Sequence, residues 1–270
     1  MNFGEVIFLG ALQGITEFFP ISSSGHLLLA EHFFSLPVEN LKAFDVVLHA
    51  GTLLALLVLF WREWSGIVAG YWSLVTGSDN KEKAWSRRLF WQLVLATIPA
   101  AVVGLLWGDA IDLLTRGENR VAIVSTFFVA VALLLFFAEK FGTQKNQKAG
   151  WKNVIWMGIF QATALLPGIS RSGATIAAGM FSGLTRSAAA RFSFLMLAPA
   201  TAGAVALITK KVLDGELSLP PLQFTLVGFA VSAIVSFAAA TFLLSFVKKH
   251  SLKVFSVYLI LAAIVLLFIG

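Results

Sequence analysis

The 270-residue chain is 58% hydrophobic and 13% charged, with a mean hydropathy of +0.86; a soluble domain carries about 25% charged residues, so a soluble globular fold is excluded. It has no cysteine, which removes disulfides, thiolate metal sites and a thiol nucleophile. The net charge of +6 does not imply nucleic acid, because in so apolar a chain it reads as cationic loops beside anionic lipid.

The N-terminus, Met1 to Glu5, has no basic stretch, so no cleaved signal peptide is expected. The first apolar region, 4–34, is broken near its middle by Pro20-Ile21-Ser22-Ser23-Ser24-Gly25. Each half has roughly 12 to 15 residues, too few to cross about 30 Å of hydrocarbon. Non-helical backbone at membrane depth survives only inside protein or beside a wet cavity. The region is therefore predicted to be a re-entrant helix–loop–helix hairpin. Spans are predicted next at 41–61, 88–107 and 119–139. A basic loop, 62–88, carries Arg62, Lys81, Lys83, Arg87 and Arg88, and another, 140–152, carries Lys140, Lys145, Lys148 and Lys152. The apolar region 151–183 is broken in the same way, by Pro167-Gly168-Ile169-Ser170-Arg171-Ser172-Gly173, and is predicted to be a second hairpin. Spans at 186–208, 221–247 and 253–269 complete the chain, with Lys248 and Lys249 before the last.

Loop charge places the three basic loops in the cytoplasm and both termini outside; Lys210 and Lys211 fall on the other side and oppose this. The hairpins then enter from opposite faces. A shift of 148 residues aligns the two halves without a gap. Gly10 and Gln13 meet Gly158 and Gln161, and Ile21, Ser22, Ser24 and Gly25 meet Ile169, Ser170, Ser172 and Gly173. Ala30, Phe33, Leu36, Phe44 and Ala50 meet Ala178, Phe181, Leu184, Phe192 and Ala198. The expected organisation is one all-α membrane domain with a first repeat over 1–140 and a second over 151–270. Each repeat is a hairpin plus three spans. Three is odd, so the second repeat is inverted, an arrangement known from transporters that bind ligand near the midplane.

Ionisable groups inside a membrane each cost about 2.5–3.5 kcal/mol, so Glu17 and Arg171, both at hairpin breaks, are expected to pair, bind ligand or face water. Position 17 aligns with Leu165 and position 171 with Ser23, so the repeat does not itself require the charges. Ser22-Ser23-Ser24-Gly25 and Ser170-Arg171-Ser172-Gly173 each precede an apolar helix. Serine caps helix N-termini, and free N–H groups there bind anions. Two such caps with an arginine fork suit phosphate oxygens. His26, three residues after Ser23, is a candidate general base or acid; His32, His49 and His250 have no comparable setting. Glu17 is a candidate to orient that histidine, to deprotonate a hydroxyl or to hold a divalent cation. Gln13, one turn before Glu17, and Thr175, one turn after Arg171, are candidate phosphate donors.

These residues carry a resemblance. Gln13-x-x-x-Glu17, Pro20 to His26 and Pro167 to Thr175 resemble the two signature motifs of the undecaprenyl-diphosphate phosphatase family, the bacterial bacitracin-resistance proteins. The family pattern has Glu or Gln at the first position; this chain has Gln13, leaving Glu17 as the only motif acid. The resemblance implies hydrolysis of undecaprenyl diphosphate to the monophosphate carrier used in peptidoglycan synthesis. It also implies a multi-pass protein of the bacterial inner membrane, dependent on a divalent cation such as Mg²⁺ or Ca²⁺, with its site facing the periplasm. Glu17, Ser23, His26 and Arg171 match catalytic positions, with Glu17 also the candidate metal ligand. Gln13, Ser22, Ser24, Gly25, Ser170, Ser172, Gly173 and Thr175 match or flank the phosphate pocket. The expected partners are the lipid diphosphate, membrane lipids and a second copy in a homodimer. A lipid-phosphate flippase using the same repeat is the main alternative. The other lipid phosphatase superfamily, which needs an Arg-Pro dipeptide absent here, fits less well, and a non-catalytic scaffold leaves Glu17 and Arg171 unexplained beyond their pairing.

Overall fold

The computed structural model describes residues 1–34, 38–114 and 119–269; Leu36, one of the repeat positions, lies outside them. Regular structure among these residues is helical, apart from an isolated bridge between Asn146 and Leu184.

Helix α1 (Phe3–Phe18) opens on a capping box in which the Asn2 side chain accepts from the Glu5 N–H and Glu5 accepts from the Asn2 N–H. It stops because Phe19, ahead of Pro20, is held in the extended region. Helix α2 (Ser23–Phe33) follows after a short turn. The second broken region gives α7 (Trp151–Thr163) and α8 (Arg171–Phe181), with Pro167 in the connecting segment. These four helices have 16, 11, 13 and 11 residues. At about 1.5 Å per residue none reaches 30 Å.

Among the described residues, five helices are long and apolar enough to cross a membrane. They are α3 (Val38–Leu59), α5 (Lys81–Leu113), α6 (Arg120–Phe141), α9 (Arg186–Leu213) and α10 (Leu222–Phe246). Helix α11 (Lys253–Ile269) is as apolar but has 17 residues. The chain is an all-α integral membrane protein.

The expected loop over 62–88 is mostly helix. Helix α4 (Trp61–Thr76) occupies its first half, and α5 begins at Lys81, well before the predicted span. Helix α4 buries Ile67, Gly70 and Ser73 and exposes Trp61, Val68, Trp72 and Val75. Such an amphipathic helix averages to moderate hydropathy, and its charges disguised it as a loop. It ends at Gly77, whose φ of 68° supplies the left-handed cap. Arg87 of α5 then ties it down, donating to the Gly70 carbonyl at 2.8 Å and to Asp79 at 2.7 Å.

Helix α1 lies along α10, α10 along α3, α7 along α5 and α11 along α6, while α9 packs on α3 and α8. The large buried rings Phe18, Phe60, Phe128 and Phe194 fill the centre. Helix α8 is buried from Ser172 to Met180, so its N-terminus is rigidly placed at the core of the bundle.

Candidate active site

Both hairpin turns are built in the same way. Ser22 is the N-cap of α2 and its hydroxyl accepts from the Gly25 N–H at 3.3 Å; Ser170 caps α8 and accepts from the Gly173 N–H at 3.0 Å. Each cap hydroxyl also neighbours the serine two residues on, Ser24 at 3.4 Å and Ser172 at 3.1 Å. A side chain on Gly25 would strike Phe128, and one on Gly173 would press on Val131, so both glycines let their turns sit close to α6. The turns differ in one respect. Ser22 has φ 73°, a region disfavoured for L residues, whereas Ser170 has φ −72°. Such a conformation costs about 1–3 kcal/mol, and it lies immediately before Ser23.

That turn aims Ser23 at α1. The Ser23 hydroxyl donates to Glu17 Oε2 at 2.5 Å, and Gln13 Nε2 donates to the same oxygen at 3.0 Å. Glu17 Oε1 accepts from Arg171 Nη2 at 2.5 Å. The Ser172 hydroxyl donates to the Phe19 carbonyl at 3.1 Å, fastening the second turn to the first. Glu17 is 5% exposed, while the Arg171 side chain is 25% exposed. A buried carboxylate thus carries a serine on one oxygen and an arginine on the other, with the arginine open on one side. Such a pair accounts for two charges inside the bundle, and a hydroxyl donating to a carboxylate is set up to lose its proton when the oxygen attacks.

The other expected residues are distributed differently. His26 Nδ1 lies 2.8 Å from the Ser22 carbonyl and Nε2 lies 2.7 Å from the Tyr258 hydroxyl, with the ring stacked on Phe128 and Tyr258. A carbonyl only accepts, so Nδ1 carries the hydrogen, and in the neutral ring Nε2 accepts from Tyr258. The histidine therefore braces the strained turn, and Ser23 is served by Glu17. Thr175 is 1% exposed and points into the protein, bonded to the Arg171 carbonyl at 2.7 Å and to Ser193 at 2.6 Å. Ser24 is exposed at the mouth of the turn.

One residue of the site was missed by local reasoning. His49, on α3, places Nε2 3.6 Å from Glu17 Oε2, and its Nδ1 is anchored on the Asp45 carbonyl at 2.7 Å. The signal was present, since an ionisable residue inside a predicted span is a functional candidate in its own right.

A resident divalent cation fits this donor set poorly. Both Glu17 oxygens are taken by Arg171, Ser23 and Gln13. Among the described residues no cluster of three or more His, Asp or Glu side chains is placed to hold a metal ion.

Comparison with known proteins shows the family of the chain. The family model for bacitracin resistance protein BacA matches residues 6–265. An undecaprenyl-diphosphatase of Rubrobacter xylanophilus is 42% identical over 258 residues, covering 94% of this chain and 93% of the relative. Those of Thermomicrobium roseum and Geobacter metallireducens are 38% and 39% identical, covering 100% of this chain and 98% and 99% of their own lengths. With a match that runs nearly end to end and includes both serine-glycine turns, the chain belongs to the bacitracin resistance protein BacA family.

Proposed function

We propose that this chain hydrolyses undecaprenyl diphosphate to undecaprenyl phosphate and inorganic phosphate, regenerating the lipid carrier of peptidoglycan synthesis and conferring bacitracin resistance. The observation that carries this reading is the convergence of the Ser23 hydroxyl, the Glu17 carboxylate and the Arg171 guanidinium from two broken hairpins. Arg171 clamps the diphosphate oxygens and neutralises charge that grows at phosphorus. Ser23 Oγ attacks the terminal phosphorus while Glu17 Oε2 takes its proton. The bond from that phosphorus to the bridging oxygen breaks, and Glu17 returns the proton to the departing lipid phosphate. A water then attacks the phosphoserine, Glu17 takes its proton, and the Ser23 oxygen recovers a proton from Glu17 as inorganic phosphate leaves. His49 Nε2 lies 3.6 Å from Glu17 Oε2 and helps to position it. His49→Leu is expected to lower kcat about tenfold with KM little changed, since losing the ring beside Glu17 Oε2 misplaces that oxygen and costs rate more than binding. A steady-state assay checks this; an unchanged kcat would remove His49 from the site.

The Mg²⁺ or Ca²⁺ that the family resemblance implies is assigned to the diphosphate as its counter-ion, because both Glu17 oxygens already have partners. Phosphate release by the purified protein in detergent tests the activity. We expect turnover of C55 diphosphate, its suppression by chelator, and no saturable Mg²⁺ binding to substrate-free protein in a titration. Absence of release in detergent would overturn the hydrolase reading and favour a lipid-phosphate flippase, because transport has no meaning without a sealed membrane.

The membrane arrangement we propose has six spans, α11 being the sixth, with the α1–α2 and α7–α8 hairpins re-entering from opposite faces of the bacterial inner membrane. The site then faces the periplasm and the basic loops the cytoplasm. Two observations support residues 1–140 and 151–270 as inverted repeats. Exchanging α1, α2, α3 and α5 for α7, α8, α9 and α10 turns the α1–α10 and α3–α10 packings into the α7–α5 and α9–α5 packings, which also occur. Gly10 and Gly158, aligned by the repeat, make equivalent close approaches, to the backbone at Gly228 on α10 and Ala96 on α5.

A further inference from the structure

We propose that the chain carries a second anion site, separate from the one above: a cleft at its basic end that holds the phosphate headgroup of an anionic membrane phospholipid. The cleft encloses about 610 Å³, within the range of small-molecule sites, about 300–1,000 Å³. It lies between the first turns of α4, α5 and α9 and the segment joining α6 to α7. Its floor is apolar, made by Leu89, Phe192 and Leu195, all nearly fully buried. Helix α9 separates it from Glu17 and Arg171. Phe194 packs edge-to-face on Phe18 at 4.8 Å and Ser193 bonds Thr175, whereas Phe192 and Leu195 line the cleft.

The rim supplies the charge argument. Arg191 is already ion-paired with Glu63 and lies over the Phe60 ring. Lys81 has no ion-pair or hydrogen-bond partner for its ammonium among the described residues, and Lys148 only sits over the Trp85 ring, 6.0 Å from its centroid. Two ammonium groups therefore border the cleft with a single unpaired carboxylate, Glu82, on the same rim. A phosphodiester between the two lysines satisfies both, and a headgroup hydroxyl offers Glu82 a donor.

The depth of the cleft argues for lipid. Of the eight tryptophans, Trp61, Trp64 and Trp72 lie on α4, Trp85 and Trp91 near the start of α5, and Trp151 and Trp156 near the start of α7. Seven of the eight thus gather at this one end, and tryptophan concentrates at headgroup level. Basic pockets between membrane helices at that level select anionic headgroups, and the apolar floor accommodates the glycerol backbone and the first methylenes of the chains.

The test is native mass spectrometry of the detergent-purified full chain with added phosphatidylglycerol or phosphatidylcholine. Wild type is expected to retain one phosphatidylglycerol and at least about tenfold less phosphatidylcholine. The double variant Lys81→Gln/Lys148→Gln should lose that retention by about tenfold or more, since each lysine near a headgroup contributes a comparable share. Lys248→Gln/Lys249→Gln removes the same charge from a neighbouring loop that does not line the cleft, and should keep it. Equal loss in the two double variants, or equal retention of the two lipids by wild type, would overturn the proposal. Displacement of the bound lipid by millimolar inorganic phosphate would overturn the lipid assignment in favour of a soluble anion. Phosphate release measured on the same samples should be unchanged in both variants, which keeps this outcome distinct from failure at Ser23.

Discussion

Ser23→Ala is expected to lower phosphate release about a thousandfold or more, with KM close to wild type. The substitution removes one oxygen, the one that sits 2.5 Å from Glu17 Oε2. It leaves the Arg171–Glu17 pair and the Ser22 cap in place, so binding of the diphosphate should persist. Removing a nucleophile abolishes the covalent route, and what remains is the rate supported by the electrostatic clamp alone. The measurement is steady-state phosphate release on C55 diphosphate by purified variant and wild type. Retention of more than about a tenth of wild-type turnover would eliminate phosphoserine as an intermediate and leave Glu17 activating water directly.

Arg171→Lys is expected to reduce kcat by about 10²–10³ while leaving the folded protein nearly as stable as wild type. A lysine keeps a positive charge near Glu17, so the buried carboxylate is not left alone. It lacks the planar fork that grips two phosphate oxygens at once, so the transition state loses more than the ground state. Arg171→Ala should lose activity as severely and also destabilise the protein by about 3 kcal/mol, because an uncompensated carboxylate is then buried in the bundle. Thermal unfolding in detergent beside the kinetic assay separates these effects. If Arg171→Lys turned over like wild type and only Arg171→Ala failed, the arginine would be a structural counter-ion and the clamp assignment would fall.

The spans were legible because the bilayer imposes one condition, about 20 apolar residues in a row, that a sequence satisfies or fails by itself. The helices α3, α6, α9 and α10 fall within a few residues of their predicted limits. Helix α4 escaped because amphipathic segments satisfy no such length rule, and its role depends on what Gly70 and Ser73 pack against. The turns were equally legible, since Pro20 and Pro167 each precede a serine-glycine cap, whereas Pro99 and Pro199, which have no such cap beside them, lie inside α5 and α9.

The site divides in the same way. Glu17 and Arg171 were expected, from their cost at depth, to pair, bind ligand or face water, and the side chains do meet. Three matters were decided only by packing. The hydrogen-bond partner of Ser23 is Glu17, because the strained Ser22 backbone turns the hydroxyl toward α1 while Tyr258, 232 residues away from His26, takes the imidazole. Thr175 is on the expected helix but faces Ser193 of α9. His49 joins Glu17 only because α3 passes beside α1. Sequence alone therefore determined which segments form long apolar helices, where the chain breaks and which buried side chains must find partners, because solvation and backbone chemistry act on each residue locally. The tertiary structure decided which partner each one found, because a hydrogen bond is settled over a few tenths of an ångström by helices that meet from distant parts of the chain.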